Sequence, residues 1–468
     1  MENQYIAALD IGSYWLRLGV QEFDSQRKPV GHFHVFHTYS SDIGDVIIQN
    51  PRKTVDAIVQ LLNLAHDVLK HPIDQVCALA AVGPIEAKPG QIERVCQQRN
   101  GDDTVVAKDD VDEMQRDSQK IKAEFLTDAQ GQRRALLHTI KLGFLTDASD
   151  SLLLSEDQAI GSVSNNVTLR YIFFLANEKA INRLRKCIRD AGLSLTKLYL
   201  EPDALQQCQQ IIQNENGDAL LINLGYSKTE LFSTHNGKIN HYHWEPKGVK
   251  YVVDTTCKER NLDPLQLRRD LIKLIDLSRC NFKAQHPADL FPQESIKPNS
   301  QADFLLWVLV RHCGEITLRL KKLYIEWYPD ANRAPRFFTV YLGGGLAAVP
   351  QIDRLFTCLL NLWGSFPFRA VRTVGLPGSI DFHDLLPDMP HGVPSQAALY
   401  GAIDLARQES LFAQAQPIQT TAQPPESSST PPEPPAASKK QPKSFFSKLL
   451  SNAVDGVNQV LGTYNNED

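Results

Sequence analysis

The sequence lacks the signatures of several common protein classes. None of its 8 cysteines forms a CxxC pair, so we expect neither a zinc ribbon nor a disulfide framework, and free thiols fit a reducing cytosol. The formal net charge of −5 argues against bulk nucleic-acid binding, which uses a basic surface. No apolar run reaches the roughly 18 residues of a membrane-spanning helix, and the acidic start lacks the features of a secretory signal.

What the sequence does contain is an alternation of apolar strands and amphipathic helices over residues 1–412. Hydrophobic residues make up 42% of the chain, which is enough to bury sizeable cores. Strand candidates such as 76–82 and 170–176 alternate with helix candidates such as 55–69 and 304–327. This alternation predicts an α/β architecture.

A first candidate site is the turn between two apolar strand candidates near the start of the chain. It contains Asp10, Gly12 and Ser13. The glycine lets a backbone N–H approach a phosphate, and the Asp10 carboxylate can reach a Mg²⁺ ion or its water shell. A turn of this composition is also common in ordinary hairpins, so on its own it leaves both interpretations open.

A second segment repeats this layout of strand, polar residue, glycine, hydroxyl residues and strand. Its polar and glycine positions are Asn223, Gly225, Ser227 and Thr229. Two such hairpins predict two related domains that close on one nucleotide, although an ordinary hairpin again explains the segment when it is taken alone.

A third segment runs from an apolar strand candidate into Gly343, Gly344 and Gly345, and a helix candidate follows. Glycines let the backbone pass close to a base or a ribose, with a helix N-terminus behind them. The segment matches neither the GxGxxG dinucleotide fingerprint nor a P-loop.

The order of the three segments resembles the phosphate-1, phosphate-2 and adenosine motifs of the actin-like ATPase superfamily. Within it, the chain resembles the FtsA family of bacterial cell-division proteins over roughly residues 5–410 and in its tail. The resemblance implies an α/β, actin-like two-domain fold with an FtsA-type inserted small subdomain, a disordered linker and a C-terminal amphipathic helix. It also implies ATP with Mg²⁺ as cofactor, with the metal at Asp10.

The resemblance divides the chain into six segments. They are 1–83 (core of the first domain), 84–168 (inserted subdomain), 169–200 (return to the first domain), 201–412 (second domain, returning to the first at its end), 413–442 (linker) and 443–462 (amphipathic helix).

Several positions depart from the family pattern. Asn223 stands where the family usually has an aspartate, and Tyr226 and Ser227 stand where it has glycines. Gly248 keeps half of a later glycine pair, and Arg268 or its neighbour occupies the place of a lysine that approaches the nucleotide. Because a neutral Asn223 cannot supply negative charge for phosphoryl transfer, we expect nucleotide binding with weak or absent hydrolysis, and we assign no catalytic residue.

The tail differs from the rest of the chain. Residues 413–442 include 8 prolines and no aromatic residue, and therefore predict a disordered linker. The following segment has the spacing of an amphipathic helix, whose Lys448 and Asp455 disfavour a membrane span. An amphipathic helix usually docks on its own domain, but in the FtsA family a terminal helix tethers the protein to the membrane. The implied membrane contacts are Phe445, Phe446, Lys448, Leu449, Leu450, Val454, Val457 and Leu461.

A partner site is implied on the helix candidate 304–327, where Arg311 and Glu315 are spaced as an i,i+4 pair. In the FtsA family this region faces the tail peptide of the tubulin-like protein FtsZ. A plain surface ion pair is an equally good interpretation, and it would contribute only about 0.3–0.5 kcal/mol.

Two groups of histidines have an alternating spacing that a metal site also shows. His32, His34 and His37 lie on one strand candidate, and His241 and His243 lie on another. No cysteine or carboxylate completes either set, so we expect solvated strand faces rather than metal centres.

The resemblance therefore implies a scaffold that anchors the FtsZ ring to the inner face of the cytoplasmic membrane at the division site. Its partners would be FtsZ, other division proteins, further copies of itself and anionic lipid, with no nucleic acid. One alternative is a PilM-like type IV pilus assembly protein that binds a membrane partner's peptide. Another is a sugar or acyl kinase of the same superfamily.

Overall fold

The structure, a computed structural model, describes residues 4–40, 48–80, 84–100, 103–127, 131–147, 149, 153–207, 218–235, 237–291, 300–329, 336–362, 367–376, 381–384 and 396–409. Residues 1–414, which include every described residue, form one compact unit, called the first unit below. The predicted linker and amphipathic helix, with all the membrane contacts named above, lie outside the described residues.

The elements of the first unit follow one another in an alternating order. The strands are β1 (Gln4–Ile11), β2 (Trp15–Phe23), β3 (Pro29–Tyr39), β4 (Gln75–Leu79), β5 (Glu86–Val95), β6 (Arg99–Asn100), β7 (Asp103–Thr104), β8 (Arg134–Thr146), β9 (Asn166–Asn177), β10 (Ser194–Tyr199), β11 (Ala219–Leu224), β12 (Thr229–His235), β13 (Lys238–Glu245), β14 (Phe338–Gly343), β15 (Phe368–Thr373) and β16 (Asp381–Asp384). The helices are α1 (Pro51–Leu69), α2 (Lys108–Phe125), α3 (Glu156–Ala159), α4 (Glu178–Asp190), α5 (Glu201–Gln206), α6 (Val249–Arg260), α7 (Pro264–Leu274), α8 (Gln301–Trp327), α9 (Ile352–Leu362) and α10 (Ala397–Gln408).

The first domain is built on a six-stranded sheet in the order β10-β4-β1-β2-β3-β16. Strand β1 is buried on both faces because helices cover both sides of the sheet. Helices α1 and α4 pack on one side, and α5 and α10 pack on the other. The turn between β1 and β2 lies where these two central strands end.

The second domain is built on a five-stranded sheet in the order β13-β12-β11-β14-β15. Leu220 and Ile222 on one face of β11 pack into the core formed with α6, α8 and α9. Ala219 and Leu221 on the other face belong to a core that includes Ala8 of β1. Because the two sheets share this core, the turns after β1 and after β11 lie at the same cleft.

A third sheet, in the order β5-β9-β8, lies in the chain between the first domain's β4 and α4. It has a separate core with α2, centred on Phe144 and Phe173. Asn177 ends β9 and caps α4, since its side chain accepts a 3.2 Å hydrogen bond from the Ala180 N–H. The FtsA-type character of this insertion and the domain boundaries given above stay predictions.

The expectation of solvated histidine faces is wrong at His37, which is buried, and only partly met at His241, which is half-buried. His37 is 3% exposed, lies against Trp15 with ring centroids 4.9 Å apart, and burial lowers its pKa to about 4. His241 stacks on Trp327 at 5.3 Å, and burial likewise lowers its pKa to about 4. Within the described ranges no group of three His, Cys, Asp or Glu side chains has the geometry of a metal site.

Across that same part of the chain, no helix combines the length and apolar character of a membrane span.

Candidate functional site

The fold brings the three glycine-containing segments together at one cleft. The Ser13 hydroxyl, in the turn after β1, donates a 2.9 Å hydrogen bond to the Ser227 hydroxyl, in the turn after β11. Asn223 on β11 lies directly opposite Gly343 on β14 in the parallel register. The grouping expected from their order in the sequence is therefore observed in the fold.

Asp10, the predicted metal ligand, is paired within its own hairpin. It lies opposite Arg17 in the β1–β2 register, and the Arg17 Nη1 is 3.4 Å from the Asp10 Oδ2. Burial raises the pKa of Asp10, although the charges of Arg17 and Lys228 act in the opposite direction. A carboxylate that already pairs with a guanidinium is less available to a Mg²⁺ ion in this arrangement.

The second hairpin carries a buried network around Glu230. The Lys228 Nζ lies 2.7 Å from the Glu230 Oε1, the Asn223 amide donates to the Glu230 Oε2 at 2.8 Å, and the Tyr242 hydroxyl donates to Oε1 at 2.7 Å. Burial alone would raise the pKa of Glu230, but Lys228 and these hydrogen bonds lower it on balance. The Asn223 amide group is therefore oriented by Glu230.

Glu201 is a member of this cluster that sequence reasoning missed. It is the first residue of α5, and burial, followed by the charge of Glu230, raises its pKa to about 8. A raised pKa means that this carboxyl holds its proton to a higher pH than an ordinary glutamate does. A Glu-Pro pair after a buried strand is only a weak helix-start signal. The sequence therefore does not predict that Glu201 lies close to Glu230.

The lip of the cleft is filled by Tyr14, Tyr226 and Arg268. The two tyrosine rings stack with centroids 5.1 Å apart. The guanidinium carbon of Arg268 lies 3.9 Å from the Tyr14 ring centroid and 4.6 Å from that of Tyr226. The same guanidinium donates to the Tyr14 carbonyl at 3.0 Å and to the Ser13 carbonyl at 3.3 Å. Arg268 thus holds the first turn in this structure, and its approach to a nucleotide stays a prediction.

Gly248 and Thr229 fix the second turn against the start of α6. Thr229 donates its hydroxyl to the Lys247 carbonyl at 2.8 Å. The first N–H groups of α6, those of Val249 and Lys250, donate to the carbonyls of Gly225 and Tyr226 at 3.1 and 2.7 Å. A side chain at Gly248 would place Cβ 2.4 Å from the Tyr226 oxygen. N–H groups at a helix N-terminus bind phosphate in other proteins, but these two already donate to backbone carbonyls of the second turn.

The triple glycine forms a tight corner beside β11. Gly344 has a φ of +83°, and a Cβ there would lie 2.6 Å from the Leu224 carbonyl oxygen. At Gly343 a Cβ would meet Leu205 at 3.2 Å, whereas at Gly345 it would meet nothing within 4 Å. The backbone at Gly345 is therefore the open part of the predicted adenosine loop.

A metal-bound phosphate does not fit between the two turns as they are arranged. The Ser13 and Ser227 hydroxyls contact each other directly at 2.9 Å, so a phosphoryl group between the turns would have to separate them. Asp10 is paired with Arg17, and the α6 donors are taken. ATP with Mg²⁺ stays a prediction for this chain, and its phosphates would have to displace these contacts.

The predicted partner residues lie on an accessible part of α8. The Arg311 Nε is 3.6 Å from the Glu315 Oε1, with the Arg311 side chain 42% exposed. The Lys247 Nζ lies 3.3 Å from the Glu315 Oε2. His312 points inward instead, is 2% exposed, and packs against Tyr251 at 5.6 Å.

Comparisons with known proteins show the fold of the chain. No family model matches the chain, and no curated protein matches its sequence. Among solved structures, it is similar to the PilM–PilN type IV pilus biogenesis complex, with 14% identity, 86% of this chain and 98% of that chain covered, and a TM-score of 0.58.

Two other solved structures align over a comparable length. One is the ethanolamine utilization protein EutJ from Carboxydothermus hydrogenoformans, with 13% identity, 86% and 90% of the chains covered, and a TM-score of 0.46. The other is MreB5 of Spiroplasma citri bound to ADP, with 10% identity, 87% and 97% covered, and a TM-score of 0.43. The sheets, their order and the likeness to the PilM–PilN complex give the chain a two-domain α/β fold of the actin-like type.

Proposed function

We propose that the protein is an actin-like adaptor of the FtsA type. It anchors a tubulin-like filament of FtsZ to the inner face of the cytoplasmic membrane, recruits other division proteins and associates with copies of itself. The observation that carries the proposal is the direct contact between the two turns, at Ser13 and Ser227. A cleft tied in this way, with a neutral Asn223 at its second turn, suits a scaffold better than an enzyme that turns over nucleotide.

Membrane attachment is proposed for the tail, on the basis of its sequence. At 100° per residue, Phe446, Leu450 and Val457 share one helix face, and Asn452 lies on the opposite face. Lys448 and the lysines just before the helix would attract anionic lipid at about 1 kcal/mol each. The phenylalanines and leucines would insert at the headgroup boundary.

Co-sedimentation of the full chain with phosphatidylglycerol-containing vesicles tests this attachment. Deletion of residues 443–468 is expected to abolish pelleting while the first unit stays folded. Phe446→Asp should also abolish pelleting, whereas Asn452→Asp adds the same charge to the polar face and should retain most of it. Equal pelleting of the two substituted proteins, or undiminished pelleting of the truncated one, would contradict the tether.

Filament binding is proposed for the surface around Arg311 and Glu315. Arg311 is half-exposed and lies 5.6 Å from the Trp307 ring centroid, so a cation and an aromatic ring lie side by side on α8. Such a pair suits an extended acidic peptide with an apolar residue. Lys247 adds a second cation through its 3.3 Å contact with Glu315.

Recruitment of purified FtsZ filaments to vesicles by the full chain tests this surface. Arg311→Glu is expected to weaken recruitment at least tenfold. Lys322→Glu reverses an exposed charge on the same helix about three turns further along and should leave recruitment within about twofold of wild type. If both variants recruit filaments equally, the partner site lies elsewhere.

The likeness of the chain to the PilM–PilN type IV pilus biogenesis complex favours a second candidate, a PilM-like protein that binds a short peptide of a membrane partner. Under this alternative, partner binding would not require residues 443–468. FtsZ recruitment that depends on the tail therefore supports the first proposal, and tail-independent capture of a membrane protein's cytoplasmic peptide supports the second. The kinase alternative needs a placed catalytic carboxylate, and Asn223 at the second turn disfavours it.

ATP with Mg²⁺ belongs to this proposal as a ligand of an opened cleft that biases conformation or self-association. The actin-like fold and the convergence of the three glycine segments at one place support such a ligand. The contacts between the turns oppose it in the closed arrangement.

A further inference from the structure

We infer that Tyr14, Tyr226 and Arg268 form a latch that holds the two domains closed without a nucleotide. We call these three residues the Tyr–Arg latch. The inference concerns the cleft itself and does not depend on which partner or membrane the protein binds.

The latch joins the two domains by reciprocal hydrogen bonds. Arg268 lies on α7 of the second domain, and its guanidinium donates to the Ser13 and Tyr14 carbonyls of the first. In return, the Tyr14 hydroxyl donates to the Arg268 carbonyl at 2.8 Å. Since donor and acceptor come from both sides, neither domain can move away without breaking bonds in both directions.

Aromatic contacts add to these hydrogen bonds. The Tyr14 ring of the first domain stacks on the Tyr226 ring of the second at 5.1 Å, with an interplanar angle of 21°. The Arg268 guanidinium lies close to both rings, so cation–π attraction acts on each side of the cleft. The 2.9 Å hydrogen bond from Ser13 to Ser227 adds a further contact between the two turns.

The two cations at the turns that could bind a phosphate are each paired with a carboxylate of the protein. Arg17 is paired with Asp10 at 3.4 Å, and Lys228 is paired with Glu230 at 2.7 Å. The α6 donors bind the carbonyls of the second turn. A nucleoside triphosphate that enters here would find Arg17 and Lys228 already paired with carboxylates, so its phosphates would have to compete for both cations.

The latch and a nucleotide therefore compete for one cleft. A ligand that binds only the open state has its apparent affinity reduced by the fraction of open molecules. Loosening the latch should open the cleft and should not weaken nucleotide binding. If Arg268 were instead a nucleotide ligand, removing it would weaken binding strongly.

Amide hydrogen exchange of the full chain tests the latch, with the amides of residues 12–17 and 225–231 as reporters. We expect these amides to be protected in nucleotide-free wild-type protein. Arg268→Ala and Tyr226→Gly should each speed their exchange at least tenfold. Arg354→Ala removes a comparable cation–π contact, 4.7 Å from the Phe282 ring centroid within the second domain, and should leave these amides at the wild-type rate.

Titration of the same proteins with MgATP supplies the second readout. Binding to Arg268→Ala that is no weaker than binding to wild type supports the latch. Three results would overturn it: unprotected turn amides in wild type that MgATP protects at least tenfold, unchanged exchange in both latch variants, or MgATP binding to wild type that Arg268→Ala weakens at least tenfold. If a variant fails to fold, unprotected turn amides in wild type that MgATP protects would still overturn the latch.

Discussion

The Ser13 hydroxyl donates to the Ser227 hydroxyl across a distance of 2.9 Å, although 214 positions separate the two serines in the chain. Each serine lies in a turn between two strands of its own sheet. Both sheets also share a hydrophobic core. The two turns are therefore held together both by this hydrogen bond and by the packing of the sheets that carry them.

Introducing an aspartate at the second turn, Asn223→Asp, should destabilise the protein. The residue is 1% exposed and donates its amide N–H to Glu230 at 2.8 Å, so the variant would place two buried carboxylates in contact. We expect a loss of about 3–5 kcal/mol at pH 7, the size of an uncompensated buried charge, and a smaller loss at pH 5, where one carboxyl can hold a proton.

Urea unfolding at both pH values measures this loss. The exposed Asn281→Asp is the matched control, because its Oδ1 only accepts from the Lys283 N–H and a carboxylate keeps that bond. An Asn223→Asp protein as stable as wild type and newly stabilised by MgATP would show that this position faces a phosphate.

Removing the buried cation, Lys228→Met, should also be severe. Lys228 is 7% exposed and Glu230 is fully buried, so the substitution leaves a carboxylate without its 2.7 Å partner. The expected loss in the free energy of unfolding is about 3–5 kcal/mol. Lys186→Met breaks an exposed i,i+4 pair with Asp190 and should change it by only about 0.3–0.5 kcal/mol. Similar small losses in both proteins would mean that the Glu230 network tolerates a missing charge.

Gly344→Ala should disturb the corner at the end of β14. Its φ of 83° and ψ of 178° lie in a region that is essentially restricted to glycine, where another residue costs about 1–3 kcal/mol. The added Cβ would also approach the Leu224 oxygen to 2.6 Å. The adjacent Gly345→Ala meets nothing within 4 Å and should shift the urea midpoint only slightly. A neutral Gly344→Ala would imply that the loop can rotate away from β11.

Much of this architecture is predictable because the signals are local. The β1–β2 and β11–β12 hairpins and the order of the glycine segments follow from short patterns of apolar and small residues. The Tyr–Arg latch has no local signal, since Tyr14 and Arg268 are 254 positions apart and each is an ordinary residue in its own segment. Burial of His37 was missed for the same reason: alternation along β3 predicts which residues share a face, but not what covers that face.

Glu201 should make stability depend on pH in a characteristic direction. Its pKa rises from the ordinary glutamate value of 4.5 to about 8 in the folded protein, chiefly through burial. Between these values the folded state holds a proton that the unfolded state has lost, so the free energy of unfolding falls as pH rises from 4.5 to 8. At about 1.4 kcal/mol per pKa unit, this single group contributes a decline of a few kcal/mol.

Glu201→Gln keeps a neutral polar group in place and cannot ionise, so it should remove that decline. The variant is expected to gain stability relative to wild type as pH rises, with the largest advantage at pH 8 and little at pH 5. The exposed Glu259→Gln changes the net charge equally and should run parallel to wild type. Urea unfolding at half-unit intervals from pH 5 to 8.5 separates the two variants. Parallel curves for Glu201→Gln and wild type would mean that Glu201 is ionised in the folded cleft, where it would then be available as a base.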